Sequence, residues 1–376
     1  MREKTLVIAT DSYLPRWDGI SRFLSEIVPR LNKSFKVIVI APDFGKVESS
    51  GFRIVKIPLR DSKLGDYKPA KLEYWKIKDT IKKADIVFSQ TIGPVGLLSI
   101  IAAKKLGKPT VSFIHSIEWE LFPKAVSMSI LKKILYPISK KLVRYAYKKS
   151  KLLIVPSESV SDMLVWQNIL TPKKIAHLGV NVTKFCKVNN NDAKKKVGLD
   201  KNDFIIGYHG RLGFEKDLKT LLRAFIRIRN KHPNVKLLIV GEGVKEIENM
   251  LKSQKGVIMP GPQNNVIPWV QAMDLYVLPS LTETTSLSTL EAMACEIPVI
   301  CTKVGFVKDY IDDGVNGLFF DFQNTVDLTK KIELLINENK LRSKMGSNAR
   351  KIVIEKFKWD TTAKKIEKYI HEVLEK

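Results

Sequence analysis

Short apolar, β-branched runs alternate with helical patterns along the whole chain, and few folds can absorb that alternation. Strands are predicted at Thr5–Thr10, Lys36–Ala41, Phe52–Ile57, Asp85–Ser89, Thr110–Ile114 and Leu152–Pro156. A second series follows at Phe204–Tyr208, Lys236–Val240, Gly256–Met259, Leu275–Leu278, Val299–Thr302 and Gly317–Phe320. Helical patterns such as Ser21–Leu31, Val95–Leu106, Leu218–Lys231 and Ser286–Ala294 lie between them. Strands that are apolar at successive positions are buried on both faces, as in parallel sheets clothed by helices. Two such series imply two doubly wound α/β domains, and 376 residues is more than one comfortable core. The join is expected near Gly179-Val180-Asn181, giving domains at 1–180 and 181–356. The following stretch, Asn189–Lys196, carries turn and solvated residues rather than core. Leu341–Lys376 reads as helices. In open parallel sheets ligands bind beyond the carboxyl ends of the strands, so functional residues are sought in the loops that leave them.

Composition narrows the class. Hydrophobic residues at 44% and charged residues at 27% describe a globular chain rather than a disordered one. Cys186, Cys295 and Cys301 follow no metal-ligand spacing and leave an odd count, so a reducing compartment is expected. The apolar run from Leu6 stops at Thr10 and Asp11, too short for a signal peptide. No apolar stretch approaches the about 18 residues needed to span a bilayer. The expectation is a cytoplasmic protein, peripheral on the membrane at most.

The formal charge is +25 at pH 7. An excess of this size fits an anionic partner, whether nucleic acid, acidic lipid or phosphate, and it also fits a lysine-rich chain with solvated faces. Distribution says more than the total. Leu121 to Ser157 holds no acidic residue, while Lys124, Lys132, Lys133, Lys140, Lys141, Arg144, Lys148, Lys149 and Lys151 fall inside it. Leu131, Leu135, Ile138, Leu142 and Tyr145 interleave at helical spacing. The basic stretch 124–151 therefore reads as an anionic-membrane contact before it reads as core. The aromatic residues form no stacking pattern of the kind that binds nucleic acid, so no nucleic-acid partner is expected.

The densest chemical signal lies between Leu278 and Ala294. A strand ends, a polar loop follows, and Ser286 can cap a helix whose stripe includes Leu287, Leu290 and Met293. Backbone N–H groups of Thr285, Ser286 and Leu287 would then face outward where phosphate binds well. Glu283 and Glu291 would stand roughly 12 Å apart if both rode one helix at about 1.5 Å per residue. That is wide for a glycosidase pair at ~5–9.5 Å, and it suits two carboxylates gripping different parts of an extended ligand. On spacing alone, a surface helix with two ordinary glutamates is the better explanation. Upstream, the predicted strand at Phe204–Tyr208 runs into Gly210-Arg211-Leu212-Gly213, followed by Lys216. Arg211, with its fork of donors, and Lys216, as a point charge, are the types that neutralise a diphosphate.

Several motifs in this half, in this order, resemble the retaining glycosyltransferases of family 4. They are Gly210-Arg211-Leu212…Glu215-Lys216, Ile239-Val240-Gly241-Glu242-Gly243, Glu283-x7-Glu291 within Leu290-Glu291-Ala292-Met293-Ala294, and Asp313-Gly314-Val315-Asn316-Gly317-Leu318. The first half matches more loosely, through Tyr13-Leu14-Pro15…Asp18-Gly19-Ile20 and Ile114-His115. The resemblance implies a GT-B fold, two Rossmann-like domains facing a central cleft, with a C-terminal helix at 357–376 returning to the acceptor-side first domain. It implies transfer of a hexose with retention, from a UDP- or GDP-sugar co-substrate held by the second domain, with no metal and no further cofactor. By matching positions, Arg211 and Lys216 would stabilise the departing diphosphate and Glu283 would contact the transferred sugar. The backbone of Thr285, Ser286 and Leu287 would lie near Glu283 and that sugar, Glu291 would bind the ribose, and Gly210 would belong to the donor site. Pro262, Gln263 and Asn264 would meet the base. Gly19 would let the first-domain loop approach the phosphates, and His115 would face the sugar.

Two departures stand out. Glu283-Thr284-Thr285-Ser286 replaces the Glu-Gly-Phe-Gly common in the family, and a Glu-Thr start resembles its lipid-glycosylating branches. Gly305-Phe306 replaces a glycine pair. Glu118 and Trp119, in the polar loop after His115, are candidate acceptor contacts. A membrane-lipid acceptor is the expectation. A soluble or polyprenyl-linked saccharide acceptor, or a nucleotide-sugar epimerase on the same architecture, are the competing readings.

Overall fold

The computed structural model describes residues 3–16, 18–47, 51–61, 68–119 and 129–375, with backbone alone at 129–134. The chain divides into two compact units, Met1–His177 with Trp359–Lys376, and Leu178–Lys358. Each is a parallel sheet with helices around it, the architecture read from the apolar runs.

In the first unit the strands are β1 (Thr5–Ala9), β2 (Lys36–Pro42), β3 (Arg53–Ile57), β4 (Ile86–Ser89), β5 (Thr110–Phe113), β6 (Leu152–Val155) and β7 (Lys173–Ile175). Their order across the sheet is β3-β2-β1-β4-β5-β6-β7. In the second unit β8 (Phe204–His209), β9 (Val235–Val240), β10 (Val257–Gly261), β11 (Leu275–Leu278), β12 (Val299–Thr302) and β13 (Leu318–Phe320) run in the order β10-β9-β8-β11-β12-β13. The order reverses at β1/β4 and at β8/β11, the switch points where strand-end loops diverge and leave room for a ligand. Of these strands only β7 carries no apolar signal: Lys173-Lys174-Ile175 is an edge strand, half exposed throughout.

The terminal helix, Trp359–Leu374, belongs to the first unit and lies on the helix Gly19–Leu31. Trp359 meets the Phe23 ring at 5.9 Å, and Arg30 pairs with Asp360 at 2.7 Å. Tyr369 donates to the Ile175 carbonyl at 3.0 Å, tying the helix to the edge strand.

The polar stretch after the join is not the solvated turn expected of it. Asn189 accepts from the Asn191 and Asp192 amides and caps a helix, Asn190–Lys196, in which Ala193 and Lys194 are buried. The Lys194 ammonium pairs with Asp274 and donates to the Asp203 carbonyl, both at 2.8 Å. Asp274 in turn accepts from the Ile205 amide at 2.8 Å, so a lysine that looks like surface holds the start of β8. Removing one partner of a buried pair strands the other charge. Lys194→Met is therefore expected to cost about 3 kcal/mol of stability in thermal or urea unfolding, and an unchanged midpoint would show the pair to be superficial.

Candidate functional site

The loops leaving β8 and β9 are stitched backbone to backbone. Gly210 donates to the Val240 carbonyl at 2.9 Å, Leu212 to Glu242 at 3.0 Å, and Val244 to Leu212 at 2.8 Å. A Cβ on Gly241 would stand 2.1 Å from the Gly210 carbonyl oxygen, and one on Gly243 would stand 2.4 Å from that of Leu212. The Gly-Glu-Gly motif is thus a steric requirement of this close approach. Its effect is to fix the loop that carries Arg211.

Past Gly213 the chain makes a short 3-10 turn, Phe214–Lys216, and this presents Lys216 toward the loop after β11. Its ammonium meets the Glu283 carboxylate at 2.5 Å, and the buried Ser280 hydroxyl donates to the same oxygen at 2.8 Å. Arg211 pairs with Glu215 at 2.5 Å, and the Leu281 amide donates to the Glu215 carbonyl at 2.8 Å. Two cations and two carboxylates thus meet at the switch point of the second sheet. Glu283 lies in the loop, four residues before the helix Leu287–Ala294 begins. The helical estimate of its distance from Glu291 therefore does not apply.

Ser286 is the N-cap of that helix, its hydroxyl accepting from the Thr289 amide at 3.3 Å. Thr284 and Thr285 do not have positive φ, so threonine in place of glycine carries no backbone strain here. The Thr285 hydroxyl oxygen is buried with no hydrogen-bond partner in the protein. The glycine this loop needs is Gly305, at φ +46, where a Cβ would stand 1.9 Å from the Glu283 carbonyl oxygen. Phe306 then donates to the Thr284 carbonyl at 3.0 Å, so the turn after β12 supports the Glu283 loop from behind.

Glu291 points inward from the helix with 1% of its surface exposed. Its carboxylate lies 3.5 Å from His209 Nε2, which is also 3.3 Å from the Ser288 carbonyl. His209, the last residue of β8, was not picked out from the sequence, although its place directly before Gly210 was the available signal. Pro262, Gln263 and Asn264 are exposed beyond β10. Gln263 donates to the Pro260 carbonyl at 3.0 Å and accepts from the Trp269 indole at 3.2 Å. The 313–318 motif is a turn: Asn316 spans the Asp312 amide and the Tyr310 carbonyl, and Asp313 accepts from the Phe319 amide.

In the first unit, Gly19 opens its helix with nothing within 4 Å of where a Cβ would stand. Asp18 is the N-cap, accepting from the Ile20 and Ser21 amides at 3.0 Å each. His115 follows β5, stacked on Phe113 at 4.5 Å and edge-on to Phe23 at 4.7 Å, with Nε2 3.0 Å from the Gln90 carboxamide. Burial pulls its pKa down to about 3, so the ring is neutral at physiological pH. Glu118 and Trp119 are not the open acceptor contacts expected. Trp119 is buried in the cluster of Ile114, Val143 and Tyr147, and the Glu118 carboxylate accepts from the Tyr147 hydroxyl at 2.7 Å. An aromatic and a carboxylate that looked polar from sequence are satisfied core. Lys124 lies outside the described residues, and the side chains of Leu131, Lys132 and Lys133 likewise. No group of three His, Cys, Asp or Glu side chains gathers at metal-binding distance among the described residues.

Two family descriptions match the chain in tandem: "Glycosyltransferase Family 4" over residues 17–184 and "Glycosyl transferases group 1" over 189–352. The capsular polysaccharide biosynthesis glycosyltransferase CapM of Staphylococcus aureus is 31% identical over 217 residues, 54% of this chain and 57% of its own length. The alpha-monoglucosyldiacylglycerol synthase of Streptococcus pneumoniae is 25% identical over 333 residues, 83% of this chain and 74% of its own. The crystal structure of Anabaena HepE in complex with UDP-glucose superposes with a TM-score of 0.80 at 19% identity, over 98% of this chain and all of that one. This last similarity is one of fold, that of the GT-B glycosyltransferases.

Two outcomes follow from the packing. Gly305→Ala should shift the Glu283 loop and abolish ligand-induced stabilisation of the second unit; full retention of that stabilisation would show the loop to be tolerant. Burial raises the Glu118 carboxyl to a pKa of about 7. A carboxyl raised in the folded state stabilises fully below its unfolded value and loses that contribution as pH rises through the folded one. Relative to wild type, Glu118→Gln should thus gain stability between about pH 4.5 and 7, read from melting temperatures across that window.

Proposed function

The chain belongs to the glycosyl transferases of group 1 and family 4, and from that premise we propose that it moves a hexose from a nucleoside-diphosphate sugar to a membrane lipid, with retention at the anomeric carbon. The Lys216–Glu283 contact at 2.5 Å, set beside Arg211 at the switch point, carries this reading. A diphosphate entering there competes with Glu283 for the ammonium. The carboxylate is then released to accept from a hydroxyl of the sugar. Lys216 and Arg211 face the oxygen on which charge develops as the glycosidic bond breaks, where fixed cations lower the barrier most. Thr285 offers its buried hydroxyl beside the sugar, and Glu291, steadied by His209, accepts from the ribose. Pro262–Asn264 meet the base through the main chain, which leaves uridine and guanosine both admissible; HepE, a protein of this fold, was crystallised with UDP-glucose. His115 is a neutral imidazole able to hydrogen-bond a sugar hydroxyl.

The lipid acceptor rests on the helix Ser129–Lys149, whose surface carries Lys140, Lys141, Arg144 and Lys148 beside exposed Ile138, Leu142 and Tyr145. The synthase relative named above makes, by its name, a glucosylated diacylglycerol. No helix among the described residues is long and apolar enough to cross a membrane, and a peripheral association on the cytoplasmic face fits that. The match to a capsular polysaccharide transferase favours a second reading, the same chemistry on a saccharide acceptor.

A thermal-shift screen against nucleoside diphosphates and their sugars should single out one donor, because stabilisation follows occupancy of the folded state. With that donor, Lys216→Ala is expected to lower kcat about a hundredfold or more, and product NMR should show the donor's anomeric configuration. Conversion of donor with no acceptor present would point to an epimerase, and an inverted product would sink the retaining mechanism. Diacylglycerol and saccharide acceptors compared side by side decide between the two acceptor classes.

A further inference from the structure

In the first unit the strand order climbs from β1 to β3 in one direction and from β4 to β7 in the other. Parallel crossovers are right-handed, so the helices of the second run lie on the face opposite Gly19–Leu31. They form one layer. Tyr74–Ile81 packs on Pro94–Lys105, which packs on Ser129–Lys149. The last of these shares a buried cluster with Glu158–Trp166 through Val143, Ala146, Tyr147, Val160 and Leu164.

Among the described residues of this unit, every large apolar side chain left exposed lies on this layer or on the turns that bound it. Leu72 and Trp75, the latter 71% exposed, stand at one edge. Ile138, Leu142 and Tyr145 form the middle, while the far edge carries Val165, Leu170 and Trp166, which is 87% exposed. Thr171 donates to the Tyr147 carbonyl at 2.9 Å and so holds that corner against the end of the basic helix. Neither Gly19–Leu31 nor Trp359–Leu374, on the opposite face, exposes one. Scattered exposed apolar residues are ordinary, but segregation onto one face marks an interaction surface.

The chemistry of that face is specific. Lysines lie over its aromatic rings: Lys78 over Trp75 at 5.1 Å, Lys105 over Tyr74 at 5.4 Å and Lys149 over Tyr145 at 5.4 Å. Lys104 stands close enough to Lys149 to hold its pKa below the ordinary lysine value. Of the carboxylates there, Asp79 is paired with Lys82 at 2.8 Å, leaving Glu73, Glu158 and Asp162 near the edges. Protein interfaces are depleted of lysine, whereas the headgroup region of an anionic bilayer attracts lysine and accommodates amphipathic aromatic rings.

We propose that this whole layer, not the basic helix alone, is a docking face for an anionic bilayer, with Trp75 and Trp166 as the apolar anchors at its two edges. It deepens the lipid-acceptor reading and rests on it for the biological occasion, but its test is separate. Wild-type protein should float with phosphatidylcholine vesicles containing phosphatidylglycerol, and brominated lipid should quench its tryptophan emission. Replacing both anchors, W75A with W166A, should weaken vesicle binding about tenfold or more and remove most of the quenching. Nucleotide-induced thermal stabilisation should stay at the wild-type level, as expected for two exposed side chains. Wild-type binding by the double variant, unquenched emission in bound wild-type protein, or no binding to anionic vesicles would each overturn the docking face. The last result would leave a protein partner as the occupant. Glycosylation of diacylglycerol in detergent micelles tests the acceptor independently: product there without vesicle docking defeats only the docking face, and docking without product defeats only the acceptor.

Discussion

The candidate site of the second unit depends on one adjacency, β8 beside β11. Leu275 pairs with Ile206 and Tyr276 with Gly207, and the sheet order reverses between these strands. Met273, just before β11, packs over Gly207, where a Cβ would stand 2.1 Å from its sulfur. From this pairing the two following loops emerge side by side, one ending in Lys216 and the other in Glu283. The 2.5 Å ion pair between residues 67 apart in sequence is a consequence of strand order. Tyr276 reaches the Ser288 hydroxyl at 2.8 Å, so the same strand also positions the helix that carries Glu291.

What the sequence conveyed, and what it did not, follows from the range of the interactions. Runs such as Leu6–Ala9 and Leu237–Val240 announce buried strands because every position is apolar, and the fold follows from their count and spacing. The motif glycines were legible as positions, but not their reasons. Gly241 and Gly243 make room for the loop after β8, and Gly305 makes room for the Glu283 carbonyl. Partners distant in sequence left no local trace. Lys194 looked like one of three solvated lysines, yet Asp274 and the Asp203 carbonyl hold it inside. Glu118 and Trp119 looked open because their neighbours are polar, while Tyr147 on a distant helix completes their burial. His209 likewise has no local signature, because its partner Glu291 lies far along the chain.

The basic helix shows how a single pattern can serve two surfaces. Its apolar residues fall into two sets: Val143, Ala146 and Tyr147 turn into the core, and Ile138, Leu142 and Tyr145 turn outward among lysines. A periodicity count sees both sets and assigns one face. The structure separates them, and it is the outward set that continues onto neighbouring helices.

The first unit also bears on where phosphate charge is neutralised. A helix N-terminus is an anion site because its first amides lack partners. At Gly19–Leu31 Asp18 already supplies the anion, accepting from the Ile20 and Ser21 amides, while the Asp18 amide donates to the Ser21 hydroxyl at 2.8 Å. The free donors of that turn are thus taken by the Asp18 carboxylate, which is itself paired with Arg16 at 3.2 Å. In the proposed reaction the cations offered to a leaving diphosphate are Lys216 and Arg211 of the second unit. Their carboxylate partners, Glu283 and Glu215, hold the two cations in place until, on that proposal, a phosphate of higher charge displaces them.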